Sequence, residues 1–258
     1  MKKQLNMTAL ITGGSSGIGL EYARQLSAMG CELALVSNRE GELADAAALL
    51  PRTHTMCVDL AEHEAAAKVV EWCDREGIQP DILINNAGMF FMEYLGPGQI
   101  EKVDKMMALH METTTDLCLL LGSRMKERGR GYILNMSSMT AWLPAPGIAV
   151  YSASKAYLAS FGKGLSYELR PYGVRVTTVC PAAVDTGLYP LGEKLRKSLR
   201  SWGVLKSPQW LVRRALRGMF QGRRVMRPGP LNRLVPAVVS VLPSRLIDRL
   251  GLKWILRQ

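Results

Sequence analysis

Short runs of consecutive apolar residues alternate along the chain with longer stretches of helical periodicity. The runs Thr8–Thr12, Glu32–Ser37, His54–Val58, Asp81–Asn85, Tyr132–Met136 and Arg175–Cys180 are rich in Val, Ile and Leu and do not alternate, which predicts strands buried on both faces. Between them, Ile18–Met29, Glu42–Leu50, Ala61–Glu76, Gln99–Arg128 and Ser152–Pro171 read as helices. Alternation of this kind joins parallel strands through right-handed crossovers, so the expected fold is α/β: a doubly wound parallel sheet with helices on both faces, in three layers. No internal repeat or low-complexity linker interrupts it, and a single domain over residues 1–258 is expected.

Composition changes this picture in two places. Nearly half of the residues are apolar, enough for a large core, and the five scattered cysteines (Cys31, Cys57, Cys73, Cys118, Cys180) lack metal or disulfide spacing. They point to reduced thiols in a cytoplasmic protein. The apolar stretch after Lys2 and Lys3 is too short for a signal core, and no run of apolar residues has the length of a membrane span. Charge is uneven: residues 187–258 carry +14, against −3 on the rest, for the net +11. That asymmetry points to an anionic partner and marks 187–258 as a substrate or association segment.

Candidate chemistry begins where the first strand runs into Thr12-Gly13-Gly14-Ser15-Ser16-Gly17-Ile18-Gly19 and then a helix. Such a turn lets the backbone approach a pyrophosphate and aims a helix N-terminus at it, which makes the expected sheet Rossmann-type. The cofactor-binding set starts with Gly13, Ser15, Ser16, Gly17, Ile18 and Gly19. The second strand ends Ser37-Asn38-Arg39, without the acid that selects the 2′-hydroxyl of NAD. Arg39 offers a planar fork for a 2′-phosphate, so with Asn38 it favours NADP(H) over NAD(H). The plainer alternative is a solvated Arg39, with Glu40 on the ribose.

Further on stand Asp59-Leu60, Asn85-Asn86-Ala87-Gly88, Ser138 and Tyr151-x-x-x-Lys155. Tyr151 and Lys155 are four apart and share a helix face, where an ammonium stabilises a phenolate and brings tyrosine towards general acid/base range. Taken singly, Tyr151 reads as a core tyrosine, Lys155 as a solvated lysine and Ser138 as a strand-end cap. Together, in order and with the glycine turn, the motifs over residues 7–190 resemble the short-chain dehydrogenase/reductase superfamily. The resemblance implies an oxidoreductase in which Ser138 binds the substrate oxygen, Tyr151 exchanges its proton and Lys155 supports both tyrosine and cofactor. It further implies cofactor contacts from Asp59, Leu60, Asn86, Ala87, Gly88, Tyr151, Lys155, Pro181, Val184 and Thr186, with no metal.

Two positions depart from the family pattern. His110 stands where an asparagine usually helps hold a proton-relay water, and Pro181-Ala182 replaces Pro-Gly. His110 is therefore taken as a fourth catalytic candidate, with the alternative that the relay is impaired and the protein is a dinucleotide-binding scaffold or sensor with little turnover. Apolar residues on the substrate side (Met89, Phe90, Phe91, Met139, Trp142, Leu143, Val184, Leu188, Tyr189) point to a lipophilic ketone or its alcohol, such as a steroid or 3-oxo acyl lipid, or else to core and subunit packing. From Leu231 onwards apolar and basic residues interleave, and Ser244–Arg257 reads as a basic amphipathic helical extension. It suits peripheral contact with a membrane, a lid, an oligomer contact or an acyl-carrier substrate. No recognition module for nucleic acid accompanies the charge. A homodimer or homotetramer is expected.

Overall fold

The computed structural model describes residues 5–143, 145–186, 193, 196–198, 205–229, 232 and 234. Seven parallel strands form one sheet in the order β3-β2-β1-β4-β5-β6-β7: β1 (Thr8–Thr12), β2 (Glu32–Ser37), β3 (Thr53–Cys57), β4 (Ile82–Asn85), β5 (Gly131–Met136), β6 (Val174–Val179) and β7 (Val225–Met226). The order reverses between β1 and β4, which opens a crevice at the carboxyl ends of these two strands. Alternate residues of the strands enter opposite cores. Ala9 and Ile11 pack with α1 (Gly17–Ala28) and α2 (Glu40–Leu49), and Leu10 packs with α3 (Ala65–Arg75), α5 (Thr113–Glu127) and α6 (Ala149–Leu169). The result is the expected three-layer, Rossmann-type arrangement.

Several elements differ from expectation, each for a local reason. The β3 strand lies at the sheet edge and is half-exposed rather than buried on both faces. The third helix starts at Ala65 rather than Ala61, because Asp59 Oδ1 takes the Ala61 N–H at 3.0 Å and Glu64 adopts a left-handed backbone (φ 58°). The long helix expected over Gln99–Arg128 is divided: α4 (Ile100–Met107) passes through a wide π turn at Ala108–Glu112 into α5. An extra residue in one turn re-aims the side chains after it, and here His110 points into the core.

The basic segment holds core structure as well as charge. Helix α7 (Pro208–Phe220) opens with Ser207 Oγ accepting the Trp210 N–H at 3.2 Å and proline in the first turn. Leu211, Val212, Ala215, Leu216 and Met219 are buried against α1 and the sheet, while Arg213 and Arg217 face solvent. The predicted helix Ser244–Arg257 lies outside the described residues. Among those described, no helix is long and apolar enough to cross a membrane.

Candidate active site

A cleft of about 680 Å³ runs along the carboxyl ends of the strands from Arg39 to Tyr151. At its start Gly13 has φ +62°, and a Cβ there would meet Ala87 Cα at 3.0 Å. Gly19 is more constrained: its Cβ would fall 1.9 Å from the Gly13 carbonyl oxygen. Glycine at both positions lets the turn fold under the first turn of α1. That helix begins without a side-chain cap or an acid in its first turn, so its leading N–H groups remain suited to an anion. The turn, the helix end and the Arg39 guanidinium form a donor set that fits a dinucleotide diphosphate.

The Asn85–Gly88 segment is tied to this turn through Thr12. Thr12 Oγ1 accepts the N–H groups of Asn86 and Ala87, both at 3.0 Å, and Asn86 Nδ2 donates to the Thr12 and Gly13 carbonyls at 3.1 and 3.3 Å. At the far end of the cleft, Ser138, two residues past the end of β5, accepts the Thr140 N–H at 3.2 Å. Lys155 Nζ lies 5.6 Å from the Tyr151 ring centroid and donates to the Met136 carbonyl at 3.1 Å. Ser137 Oγ donates to the Lys155 carbonyl at 2.6 Å, which locks α6 to the end of β5. Tyr151, Ser138 and Lys155 are all buried, and burial pushes the Lys155 ammonium down to about 8.

His110 sits behind this end of the cleft rather than on its wall. Its Nε2 accepts the Met89 N–H at 3.0 Å, which leaves the proton on Nδ1 to be donated to Ser154 Oγ at 2.9 Å; Ser154 in turn donates to the Tyr151 carbonyl at 2.9 Å. Desolvation first, and the nearby Lys155 charge second, hold the imidazole well below its ordinary range, so it is neutral. The ring links the loop after Gly88 to the helix that carries Tyr151.

Of the residues singled out from the sequence, Gly13, Ser15, Ser16, Gly17, Ile18, Asn38, Arg39, Asp59, Leu60, Asn86, Ala87, Gly88, Ser138, Tyr151, Lys155, Pro181, Val184 and Thr186 line this one cleft, while Gly19 and His110 support its wall. Leu188 and Tyr189 lie outside the described residues. Sequence reasoning missed Ser37, Val58, Ala61, Lys105, Leu109, Met136 and Ser137, which also line it. Most of these adjoin a recognised motif, but Lys105 and Leu109 come from α4 and the π turn, where nothing local marks them.

Comparisons with known proteins agree with this geometry. The short chain dehydrogenase family model matches residues 7–194. An uncharacterised oxidoreductase of Bacillus subtilis, DltE, is 35% identical over 188 residues, covering 72% of this chain and 75% of its own. The very-long-chain 3-oxoacyl-CoA reductase of Bos taurus is 28% identical over 95% of this chain and 78% of its own. Among solved structures, a short-chain dehydrogenase from Sphingobium yanoikuyae in complex with NADPH aligns with a TM-score of 0.75 and 29% identity, covering 93% of this chain and 97% of that one. With the family motifs brought together in one cleft at the sheet's crevice, the chain belongs to the short-chain dehydrogenase/reductase superfamily and is an oxidoreductase of that family.

Proposed function

We propose that the protein is an NADP(H)-dependent reductase of a lipophilic ketone, or the dehydrogenase of the matching secondary alcohol. The observation that carries this reading is that Ser138, Tyr151 and Lys155 line the same cleft as the glycine turn and Arg39. Gly13, Ser15–Gly17 and Arg39 would hold the diphosphate and 2′-phosphate, with Asp59, Leu60, Asn86–Gly88, Pro181, Val184 and Thr186 along the rest of the dinucleotide. When bound, the nicotinamide supplies or accepts the hydride. The Tyr151 hydroxyl holds the proton that the substrate oxygen gains or loses, the Lys155 ammonium stabilises the phenolate, and Ser138 Oγ donates to the substrate oxygen. His110 acts by fixing the Tyr151 segment through Ser154.

The NADPH carried by the Sphingobium neighbour and the absence of an acid at Ser37 and Asn38 support the cofactor reading. The bovine relative's 3-oxoacyl-CoA reductase name supports a lipophilic ketone. So do Met89, Phe90, Phe91, Met139, Trp142 and Leu143, all partly buried, with the Phe90 ring edge-on to Tyr151 at 5.0 Å between centroids. A turnover screen with NADPH across steroid ketones and 3-oxoacyl thioesters tests the proposal, and turnover of a long-chain or polycyclic ketone is expected. Tight NADPH binding without turnover of any ketone or alcohol would favour a dinucleotide-binding scaffold instead.

Exposed Leu119 and Leu120 on α5 and Tyr167 on α6 support association into a homodimer or homotetramer, which sedimentation velocity measures. The +14 charge of residues 187–258 supports peripheral binding to anionic membranes. Cosedimentation with acidic liposomes at low salt, lost after truncation at Leu231, is the expected result.

A further inference from the structure

At the Arg39 end of the cleft the donors that suit an anion already hold one. Glu42 occupies the first turn of α2, three residues after Arg39. Its Oε1 lies 2.7 Å from Arg39 Nη1, and its Oε2 accepts from Ser15 Oγ at 3.2 Å. Ser15 Oγ is also 2.9 Å from Ser37 Oγ, and Ser16 reaches the same carboxylate. The Arg39 guanidinium, ahead of the two serine hydroxyls, holds the Glu42 carboxyl below the usual range, so the group is an anion at neutral pH. Ser15, Ser16, Ser37 and Arg39 all line the cleft, so this carboxylate is bound by the groups available to a phosphate there.

An incoming 2′-phosphate therefore meets a neutralised Arg39–Glu42 pair rather than a free guanidinium. It must displace the carboxylate from Arg39 and Ser15, or share them with a like charge. A 2′-hydroxyl faces the opposite situation, because it can donate to the same carboxylate. The Arg39 and Glu42 side chains are 63% and 39% exposed, so the carboxylate can swing into solvent at modest cost.

We propose that Glu42 is a specificity-determining residue: its carboxylate competes internally for the donors that receive the 2′-phosphate and keeps the preference for NADPH over NADH below what Arg39 alone would give. The inference rests on the reading that this end of the cleft takes the adenosine ribose. It identifies Glu42, rather than Arg39 alone, as the position that sets the ratio between the two cofactors.

The test is calorimetric titration of native protein and Glu42→Gln with NADPH, NADH, adenosine 2′,5′-bisphosphate and ADP. The last two carry no nicotinamide, so the measurement needs neither substrate nor turnover. Glutamine keeps the length and the Ser15 hydrogen bond while removing the charge, and a melting curve checks the fold. Unit charges about 4 Å apart in water interact strongly enough to change affinity roughly fivefold, so both 2′-phosphorylated ligands should tighten by about that factor. NADH and ADP should hold or weaken slightly, and the gain should shrink as salt is raised. An unchanged ratio, or weaker NADPH binding by Glu42→Gln, overturns the proposal; weakening would mean that Glu42 orients Arg39 for the phosphate. A native protein that prefers NADH, with a ratio that Glu42→Gln still moves towards NADPH, would contradict the cofactor reading and leave the role of Glu42 standing.

Discussion

At one end of the cleft Arg39 and Glu42 form an ion pair that stays largely in solvent; at the other, the Lys155 ammonium is buried, donates to a backbone carbonyl and has no carboxylate within salt-bridge distance among the described residues. The exposed pair is screened and worth little as structure, so it can yield to a competing ligand. The buried ammonium is costly to fold around, and its charge acts undiluted on whatever shares its pocket. Around it the protein is braced by buried groups, Ser137, the Met136 carbonyl and the His110–Ser154 link, whereas the Arg39 guanidinium is held by the half-exposed Glu42. On the function proposed above, cofactor selectivity would sit where the structure can yield, and proton chemistry where it cannot.

The sharpest way to break this contrast is at Lys155. Lowering its pKa from 10.5 to about 8 by burial corresponds to a cost on the order of 3 kcal/mol, so Lys155→Met should raise Tm by about 6–12 °C while cutting kcat about 100-fold or more. Calorimetry and steady-state assays read the two effects, and a variant that lost both activity and stability would contradict the account. The pH dependence carries the same signature. Folded Lys155 binds fewer protons than unfolded lysine between about pH 8 and 10.5, so its cost is fully present below pH 8 and relieved as pH rises through that window. Activity runs the other way: kcat/KM should fall as pH rises through about 8 and the cation is lost.

A smaller effect is expected at the brace. Replacing His110 with Phe leaves the Met89 N–H without its partner and should lower stability by about 1–3 kcal/mol, measured by urea denaturation. Ser154→Ala removes the hydroxyl that accepts from His110 Nδ1–H and donates to the Tyr151 carbonyl, keeps the Met89 bond, and should cost about 1–2 kcal/mol. A loss from His110→Phe smaller than that from Ser154→Ala would show that the Met89 bond adds nothing to the brace.

The mildest change belongs to the exposed end. Arg39→Ala should weaken NADPH binding about tenfold, since charge-assisted contacts at a solvated site yield less than buried ones, and should leave NADH nearly unchanged. Titration of both cofactors checks it, and equal losses for the two would separate Arg39 from the 2′-phosphate.

How much was legible in the sequence depends on how local the signal is. The glycine turn, the Tyr151–Lys155 pair and the strand cores lie within one turn or one strand, where spacing alone places side chains together. Helix α7 was hidden behind the +14 charge of residues 187–258, although Ser207-Pro208 and the buried Leu211, Val212, Ala215, Leu216 and Met219 mark a capped amphipathic helix. The π turn left no trace, since helical periodicity runs through Ala108–Glu112 and one inserted residue changes only the facing of the side chains beyond it. Glu42 was unread for a different reason: its meaning depends on Ser15, which reaches it from another element 27 residues earlier in the chain. Residue types can be recognised singly, but competition for a donor is visible only once the elements are packed.

The central claim is that Tyr151 exchanges the proton while the cleft holds NADPH, and one experiment addresses it directly. NADPH affinity and NADPH oxidation are measured for native protein and Tyr151→Phe, using the ketone the native protein turns over best. The variant removes one hydroxyl and little volume, so the account predicts the same NADPH dissociation constant within about twofold and a kcat lower by about 100-fold or more. A Tyr151→Phe protein that oxidises NADPH at near-native rate would contradict it.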